Sequence, residues 1–283
     1  MRIFEPQIKP LIYAALTEDI KGGDITTDAV TAKKDPVVQC EVTAKKNCIV
    51  CGLDIFSLVF DIITKKNYKI NFFSREGVEA AKSQKIISLK AKASDILYGE
   101  RTALNFLQHL SGIATVSNAA SKELKGLKTK ILDTRKTIPG LRILQKYAVK
   151  TGGGENHRFD LSSGILIKDN HIKLAGGIKK AMDAVNKHYS GLNFKIEIET
   201  SSLEEVKEAL SAKADIIMLD NMDIKTMKKA VEIIDGKAIT EASGNITIGK
   251  LRKIAEETGV DYISMGYLTN SITPADFSLN FVK

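Results

Sequence analysis

The chain has 283 residues, 43% of them apolar and 27% charged, with a formal net charge of +8. That is an ordinary globular composition, long enough for one large domain or two smaller ones. No window approaches the ~18 apolar residues of a membrane span, and residues 1–10 lack a signal-peptide core, so a cytoplasmic protein without a membrane partner is expected. Lysine and arginine are dispersed and tryptophan is absent, which argues against a nucleic-acid surface and leaves anionic small molecules as partners.

In residues 7–19, Ile8, Leu11, Ile12, Ala15 and Leu16 share one face of a predicted helix. Lys21, Gly22 and Gly23 stop it, and Asp24, Ile25, Thr26 and Thr27 restart the chain. Short β-like runs follow at 37–44, 47–50, 68–73 and 85–91, with one helix at 54–63, so the first region reads as sheet-based α+β. Cys40, Cys48 and Cys51 fall here. Cys48 and Cys51 have CxxC spacing, but no second pair or nearby histidine completes a zinc site, and they read as inert thiols beside a turn at Gly52.

A long helix begins with a cap at Ser94 and Asp95. Leu97, Leu104, Leu107, Leu110 and Ala114 form its apolar stripe, and Arg101, Asn105, Gln108 and Gly112 a polar one. Spacing alone makes Arg101 a surface arginine.

Beyond Lys128, strands at 130–133, 164–167, 194–199, 215–219, 238–241 and 262–265 alternate with helices at 140–150, 176–188, 202–212, 224–234 and 248–257. Ser202 and Glu205 have capping-box spacing. Repeated β-then-α units imply a parallel sheet with right-handed crossovers. The run 194–199 distinguishes a barrel from a doubly wound sheet. Phe194, Ile196 and Ile198 face one way and Lys195, Glu197 and Glu199 the other, whereas a strand covered by helices on both faces would be apolar throughout. Six strands are too few to close a full barrel. Phe277, Leu279 and Phe281 then alternate as a last short strand.

Active sites of such barrels lie where the strands end. At the first end, two apolar residues lead into Asp133, Thr134, Arg135, Lys136 and Thr137 before Pro139 and Gly140 break the run. Burying such cations without partners costs several kcal/mol, so they should face an anion. The glycines at 152–154 lead to His157 and Arg158, and the later strand ends carry Lys168, Asp169, Asn170 and His171, then Glu199, then Asp220 and Asn221, then Glu241, Ser243 and Gly244, and finally Gly266. Arg135, Lys136, Arg158 and Lys168 suit carboxylates and phosphates. Glu199 and Asp220 suit a hard cation such as Mg²⁺ that also binds substrate phosphate. Ser243, Gly244 and Gly266 let backbone N–H groups approach a phosphate. His109 and His188 read as structural. No Ser–His–Asp order or nucleophilic cysteine stands out, so positioning and charge neutralisation are the expected work. A Schiff-base enzyme using Lys168 is an alternative, separable by borohydride trapping, and a nucleic-acid binder would show steep salt dependence.

With these motifs assembled, the chain resembles the quinolinate phosphoribosyltransferases over nearly its full length. The likeness runs through residues 18–27, 100–105, 133–137, 152–158, 166–171, 218–221 and 241–244. The resemblance implies an N-terminal α/β sandwich over 1–110, an incomplete α/β barrel of six to seven strands over 111–270, and a C-terminal segment, 271–283, that rejoins the sandwich. It implies transfer of a phosphoribosyl group from phosphoribosyl pyrophosphate (PRPP) to quinolinate with decarboxylation, in a homodimer or higher homo-oligomer with a shared active site. A same-fold paralogue with another substrate is the runner-up. Arg101 would reach into the partner's barrel. Arg135, His157, Arg158 and Lys168 would hold the quinolinate carboxylates together with it, and Thr134 lies among these substrate contacts. Lys136 and Lys168 would touch PRPP, Glu199 and Asp220 would serve Mg²⁺ and ribose, and Lys136, Lys168, Glu199 and Asp220 would form the catalytic set. Ser243, Gly244, Asn245 and Gly266 would bind the 5′-phosphate, and Met265 and Tyr267 would be further substrate contacts. The family often has glycine where Asn245 stands and histidine where Asn270 stands.

Overall fold

The structure, a computed structural model, describes residues 5–191 and 194–282. Residues 1–4 and 283, which belong to the predicted sandwich and its C-terminal return, and residues 192–193 lie outside it. The chain forms two compact units.

The first unit holds the residues up to Asn118, Thr137–Gly153 and the segment from Ser271 onward. Helix α1 (Glu5–Ile20) buries Ile8, Ile12 and Leu16, the face expected from their spacing. Helix α2 (Ile25–Thr31) starts where the Asp24 carboxylate accepts the backbone N–H groups of Thr26 and Thr27, each at 3.0 Å. That cap explains the Asp-x-Thr-Thr pattern, because the first amides of a helix have no partner within it. Then come β1 (Val37–Ala44), β2 (Cys48–Ile49), α3 (Leu53–Thr64), β3 (Lys69–Phe72), β4 (Glu79–Ala80), β5 (Lys85–Lys92), α4 (Ala93–Glu123) and α5 (Arg142–Thr151). The C-terminal strand (Phe277–Phe281), β1, β5 and β3 form one antiparallel sheet in that order, with Cys40 opposite Phe281 and Ala44 opposite Phe277. The expected return of the C-terminus is therefore a full edge strand. Phe56, Phe60, Ile86, Ile87 and Leu89 are fully buried in this unit, each worth roughly 1.5–3 kcal/mol of transfer free energy.

Two local expectations change here. Strand β5 passes into α4 without a turn, so Ser94 sits inside the first turn and does not cap it. The Asp35 carboxylate caps it from a distance, accepting the Ser94 N–H at 3.0 Å and hydroxyl at 2.8 Å. The polar stripe of α4 also divides. Arg101 and Asn105 are exposed, whereas Gln108 donates from Nε2 to the Phe277 carbonyl at 3.2 Å and accepts the Ala275 N–H at 2.9 Å. A Cβ on Gly112 would meet the Thr273 oxygen at 2.5 Å, so only glycine lets the C-terminal segment pass so close.

The three cysteines are free and buried. Burial pushes the Cys40 thiol up to about 12 and Cys48 to about 11, and raises Cys51 as well. Such thiols are protonated and unreactive, as expected. His109 is structural too: Gln145, fully buried, places Nε2 2.9 Å from the ring Nε2 while its Oε1 accepts the Ile138 N–H at 2.8 Å.

The second unit holds Ala119–Lys136 and Gly154–Asn270. Its strands are β6 (Lys130–Leu132), β7 (Ile165–Ile167), β8 (Ile196–Thr200), β9 (Ile216–Asp220), β10 (Ile239–Ser243) and β11 (Tyr262–Ser264). They form one six-stranded parallel sheet in the order β6-β11-β10-β9-β8-β7. No ladder joins the end strands β6 and β7 among the described residues. Glu155 makes a single parallel bridge to Leu132 where a further strand would stand. This is the incomplete α/β barrel expected from the sequence. Helices α6 (Asp169–Ala175), α7 (Ile178–His188), α8 (Leu203–Ser211), α9 (Ile224–Ile234), α10 (Leu251–Thr258) and α11 (Tyr267–Asn270) follow the strands, and a 3₁₀ turn at Ile248–Lys250 leads into α10. Helix α6 was not expected; its first residue follows Lys168 directly. The Ser202 hydroxyl accepts the Glu205 N–H at 3.2 Å, as its spacing predicted, but the Glu205 carboxylate turns to the Ser201 N–H at 2.6 Å. No helix among the described residues is long and apolar enough to cross a membrane.

Candidate active site

Parallel register sorts the interior of the barrel by depth. Glu199 on β8 lies opposite Met218 on β9, and Met218 opposite Glu241 on β10, while Asp220 lies opposite Ser243 one layer nearer the strand ends. Alternation makes Glu197 an interior residue one layer deeper than Glu199. Burial follows: Glu197 and Glu241 are buried, whereas Glu199, Asp220 and Ser243 are half-buried. Hence Asp220 stands nearest the mouth, Glu199 shares the next layer with the more deeply buried Glu241, and Glu197 lies one layer below.

After β6, the Thr134 hydroxyl accepts the Lys136 N–H at 3.0 Å, which folds the turn back and leaves Lys136 exposed. The Lys136 carbonyl accepts the Thr269 hydroxyl at 2.8 Å, tying this turn to α11. Gly266 lies over the same turn, where a Cβ would come 3.0 Å from Lys136 Cδ and 3.6 Å from Thr134 Oγ1. Thr134, Lys136 and Gly266, 130 residues apart in the chain, thus share one corner. Met265 beside them is buried, and Tyr267 is exposed.

Arg135 and Arg158 are both half-buried, and Arg158 is close enough to feel the charge of Arg135. Burial and that like charge lower the Arg158 pKa, partly offset by Glu197 and Asp160. One Arg158 Nη donates to the Gly164 carbonyl at 2.9 Å, and its Nε is buried with no hydrogen-bond partner among the described residues. A half-buried guanidinium with a donor left open suits an anion, and a second arginine near it suits a di-anion. Lys168, the residue before α6, donates to Glu199 at 3.0 Å across β7 and β8. His171 does not join the site; its ring accepts the Lys168 N–H at 3.0 Å as a local cap.

The loop after β10 is built from left-handed residues, with Gly244 at φ 106° and Asn245 at φ 48°. Asparagine tolerates this region better than other side chains, so Asn245 holds the turn without a glycine. Asn221 is also left-handed, at φ 55°; its N–H donates to the Ser243 carbonyl at 2.9 Å and its side chain to Asp220 at 2.7 Å. A Cβ on Gly244 would collide with the Asn221 side chain. Asn221 therefore packs the carboxylate end of β9 against the glycine loop after β10. Asn270 ends α11, with its side-chain nitrogen 3.4 Å from where a Gly266 Cβ would stand.

His157 sits between the arginines and the deep carboxylates. Its N–H donates to Asp133 at 2.9 Å, its Nδ1 accepts the Arg158 N–H at 2.7 Å, and its Nε2 lies 3.1 Å from Glu197 and 3.7 Å from Glu241. Burial, and then the charge of Glu197, push the Glu241 carboxyl up to about 7. Sequence reading placed Glu241 at its strand end without a role and passed over Glu197, although the alternation of 194–199 had set Glu197 on the interior face beside Glu199. Arg101 belongs to the other unit, on the exposed side of α4.

A parallel, incomplete barrel that collects arginines, lysines and oxygen acids at its strand ends defines an enzyme for polyanionic substrates. Comparison with known proteins makes the class specific. The N-terminal domain model of the quinolinate phosphoribosyl transferase family matches residues 24–111, and the C-terminal domain model residues 113–280. The chain is 40% identical to a nicotinate-nucleotide pyrophosphorylase from Francisella tularensis of known structure, over 99% of this chain and 98% of that one, with a TM-score of 0.94. The corresponding structure from Ehrlichia chaffeensis is also 40% identical, covers both chains fully and has a TM-score of 0.93. A mitochondrial quinolinate phosphoribosyltransferase (decarboxylating) of Nicotiana glauca is 38% identical over 96% of this chain and 81% of its own. The chain belongs to the quinolinate phosphoribosyl transferase family, and its reaction is the phosphoribosyl transfer to quinolinate, with decarboxylation, that the family carries out.

Proposed function

We propose that the residues gathered at the strand ends carry this reaction as follows, in a cytoplasmic homo-oligomer. The observation that carries the reading is that Arg135 and Arg158 are both half-buried and that Arg158 Nε is buried with no hydrogen-bond partner among the described residues, a donor that a substrate carboxylate would satisfy. Each guanidinium takes a carboxylate bidentately, and Lys168 adds a third cation. Arg101 of a partner subunit completes the pocket, which accounts for its exposure on a helix far in sequence from the other ligands. The 5′-phosphate of PRPP rests on backbone N–H groups of Ser243, Gly244, Asn245 and Gly266, with Met265 and Tyr267 flanking the last of these and Lys136 and Thr134 beside them.

Glu199 and Asp220 are oxygen donors on neighbouring strands at the mouth, a donor set that fits Mg²⁺ bound through one or two carboxylates and substrate phosphates. When bound there, Mg²⁺ neutralises charge on the departing pyrophosphate. With the dicarboxylate clamped, the pyridine nitrogen faces the anomeric carbon of the ribose. A C–N bond forms as the C–O bond to pyrophosphate breaks, and the ring nitrogen becomes cationic. The bond from ring carbon 2 to its carboxylate then breaks, CO₂ leaves, and the electron pair stays on that carbon beside the cationic nitrogen until a proton replaces it. Orientation by the arginines lowers the entropic barrier to the first step.

The test is to mix quinolinate, PRPP and Mg²⁺ with the protein and measure nicotinate mononucleotide, pyrophosphate and CO₂, expected in equal amounts. Folded protein that forms none of them overturns the reading. For the shared site, inactive Arg101→Ala and inactive Arg135→Ala chains are mixed. Hybrid oligomers should regain part of the wild-type rate, and no recovery despite subunit exchange rules out Arg101 acting in trans.

A further inference from the structure

Three buried acidic side chains, Asp133, Glu197 and Glu241, surround His157 and have been given no part in the reaction. Asp133, fully buried, accepts the His157 N–H at 2.9 Å and an Asn156 side-chain N–H at 2.6 Å. Glu197 and Glu241, both buried, flank the His157 ring from β8 and β10 at 3.1 and 3.7 Å. Because Nδ1 accepts the Arg158 N–H, the proton in the neutral ring sits on Nε2 and points at Glu197. The imidazole is thus a strut between the barrel floor and the backbone of Arg158. These ligand atoms lie within 4.8 Å of one another, which would also suit a cation. Each ring nitrogen already has a hydrogen-bond partner from the protein, so the strut accounts for how the ring is held, while Glu197 Oε1 and Glu241 Oε1 are buried with no hydrogen-bond partner among the described residues.

We infer that Glu197 and Glu241 are positioning residues for the substrate-carboxylate clamp, acting through His157 on Arg158. The inference rests on the reading of Arg158 as a carboxylate ligand. It assigns the two deep carboxylates a part in specificity for the dicarboxylate substrate, and none in handling PRPP. It also makes His157 chiefly a support, since its ring is spanned at both nitrogens. The physical reason is that one hydrogen bond cannot fix a loop arginine, whereas a ring anchored at both nitrogens and through its own N–H can.

The experiment compares Glu197→Ala, Glu241→Ala, His157→Ala and the double variant Glu197→Ala/His157→Ala in the full-length protein. Glu197→Ala and His157→Ala should each raise the KM for quinolinate at least 10-fold, with the KM for PRPP within 2-fold of wild type. Glu241→Ala should move it in the same direction. The double variant should be no worse than the poorer single one, because both act along one path. Glu197→Gln, which keeps an acceptor for Nε2–H, should recover to within about 3-fold of wild type. Quinolinate binding by calorimetry, read without turnover, should weaken in parallel. Unchanged quinolinate binding, additive losses in the double variant, or equal losses for both substrates with a falling melting temperature would each overturn the inference. Failure of the parent reading looks different: wild-type protein would then form no nicotinate mononucleotide in the same assay.

Discussion

Replacing Gly244 by alanine tests whether the loop after β10 cradles the 5′-phosphate. The new Cβ would strike the Asn221 side chain and would lie 2.8 Å from the Asn221 nitrogen. Asn221 cannot simply turn away, because its side chain donates to Asp220 at 2.7 Å and its N–H to the Ser243 carbonyl at 2.9 Å. The backbone at φ 106° adds strain of roughly 1–2 kcal/mol for a residue with a Cβ, and overpacking adds roughly 1–3. The loop therefore gains up to about 5 kcal/mol by shifting outward instead of absorbing the clash. Losing one charge-assisted N–H contact to phosphate costs roughly 1.5–3 kcal/mol, or about 10- to 150-fold in affinity. Steady-state kinetics should show the KM for PRPP rising at least 10-fold. Quinolinate binding, measured by calorimetry, should stay within 2-fold, since Arg135 and Arg158 arrive from other strands. A folded variant whose KM for PRPP is unchanged, or whose quinolinate binding falls as much, refutes the assignment of this loop.

Lys168→Ala removes a cation paired to Glu199 at 3.0 Å, and kcat/KM for quinolinate should fall about 10- to 150-fold with the circular dichroism spectrum unchanged; activity near wild type would remove Lys168 from the site. The Glu241 carboxyl, raised from 4.5 to about 7 by burial and by Glu197, contributes stability that is present at low pH and lost as pH rises through 7, with His157 and Lys168 opposing the shift. The melting temperature of wild type should accordingly drop relative to Glu241→Gln between pH 5 and pH 8, and a constant difference would show that Glu241 does not titrate there. Burial holds all three thiols protonated, so a thiol reagent should label none of Cys40, Cys48 and Cys51 in native protein and all of them after denaturation. Rapid labelling of one in the native state would show that this core opens.

The sequence by itself determined the parts set by short range. Alternation in 194–199 required a polar barrel interior, strand-end composition exposed Arg135, Lys136, Lys168, Glu199 and Asp220 as a group, and Asp24 marked where the chain restarts, though not that a helix begins there. These features depend on residues within a few positions of one another, where periodicity and capping chemistry act. Arg101 was legible only through resemblance to a family, because a lone arginine on an exposed helical face has no local signature. Only the tertiary structure decided which groups meet. Curling the sheet brings Glu197, Glu241 and the 156–158 turn around one imidazole, seats Gly266 on the turn of Thr134 and Lys136, and lets Asp35 cap a helix 58 residues downstream. Such contacts follow from strand order and register, and a one-residue slip in the register of β8 would turn Glu197 from the interior to the helix layer.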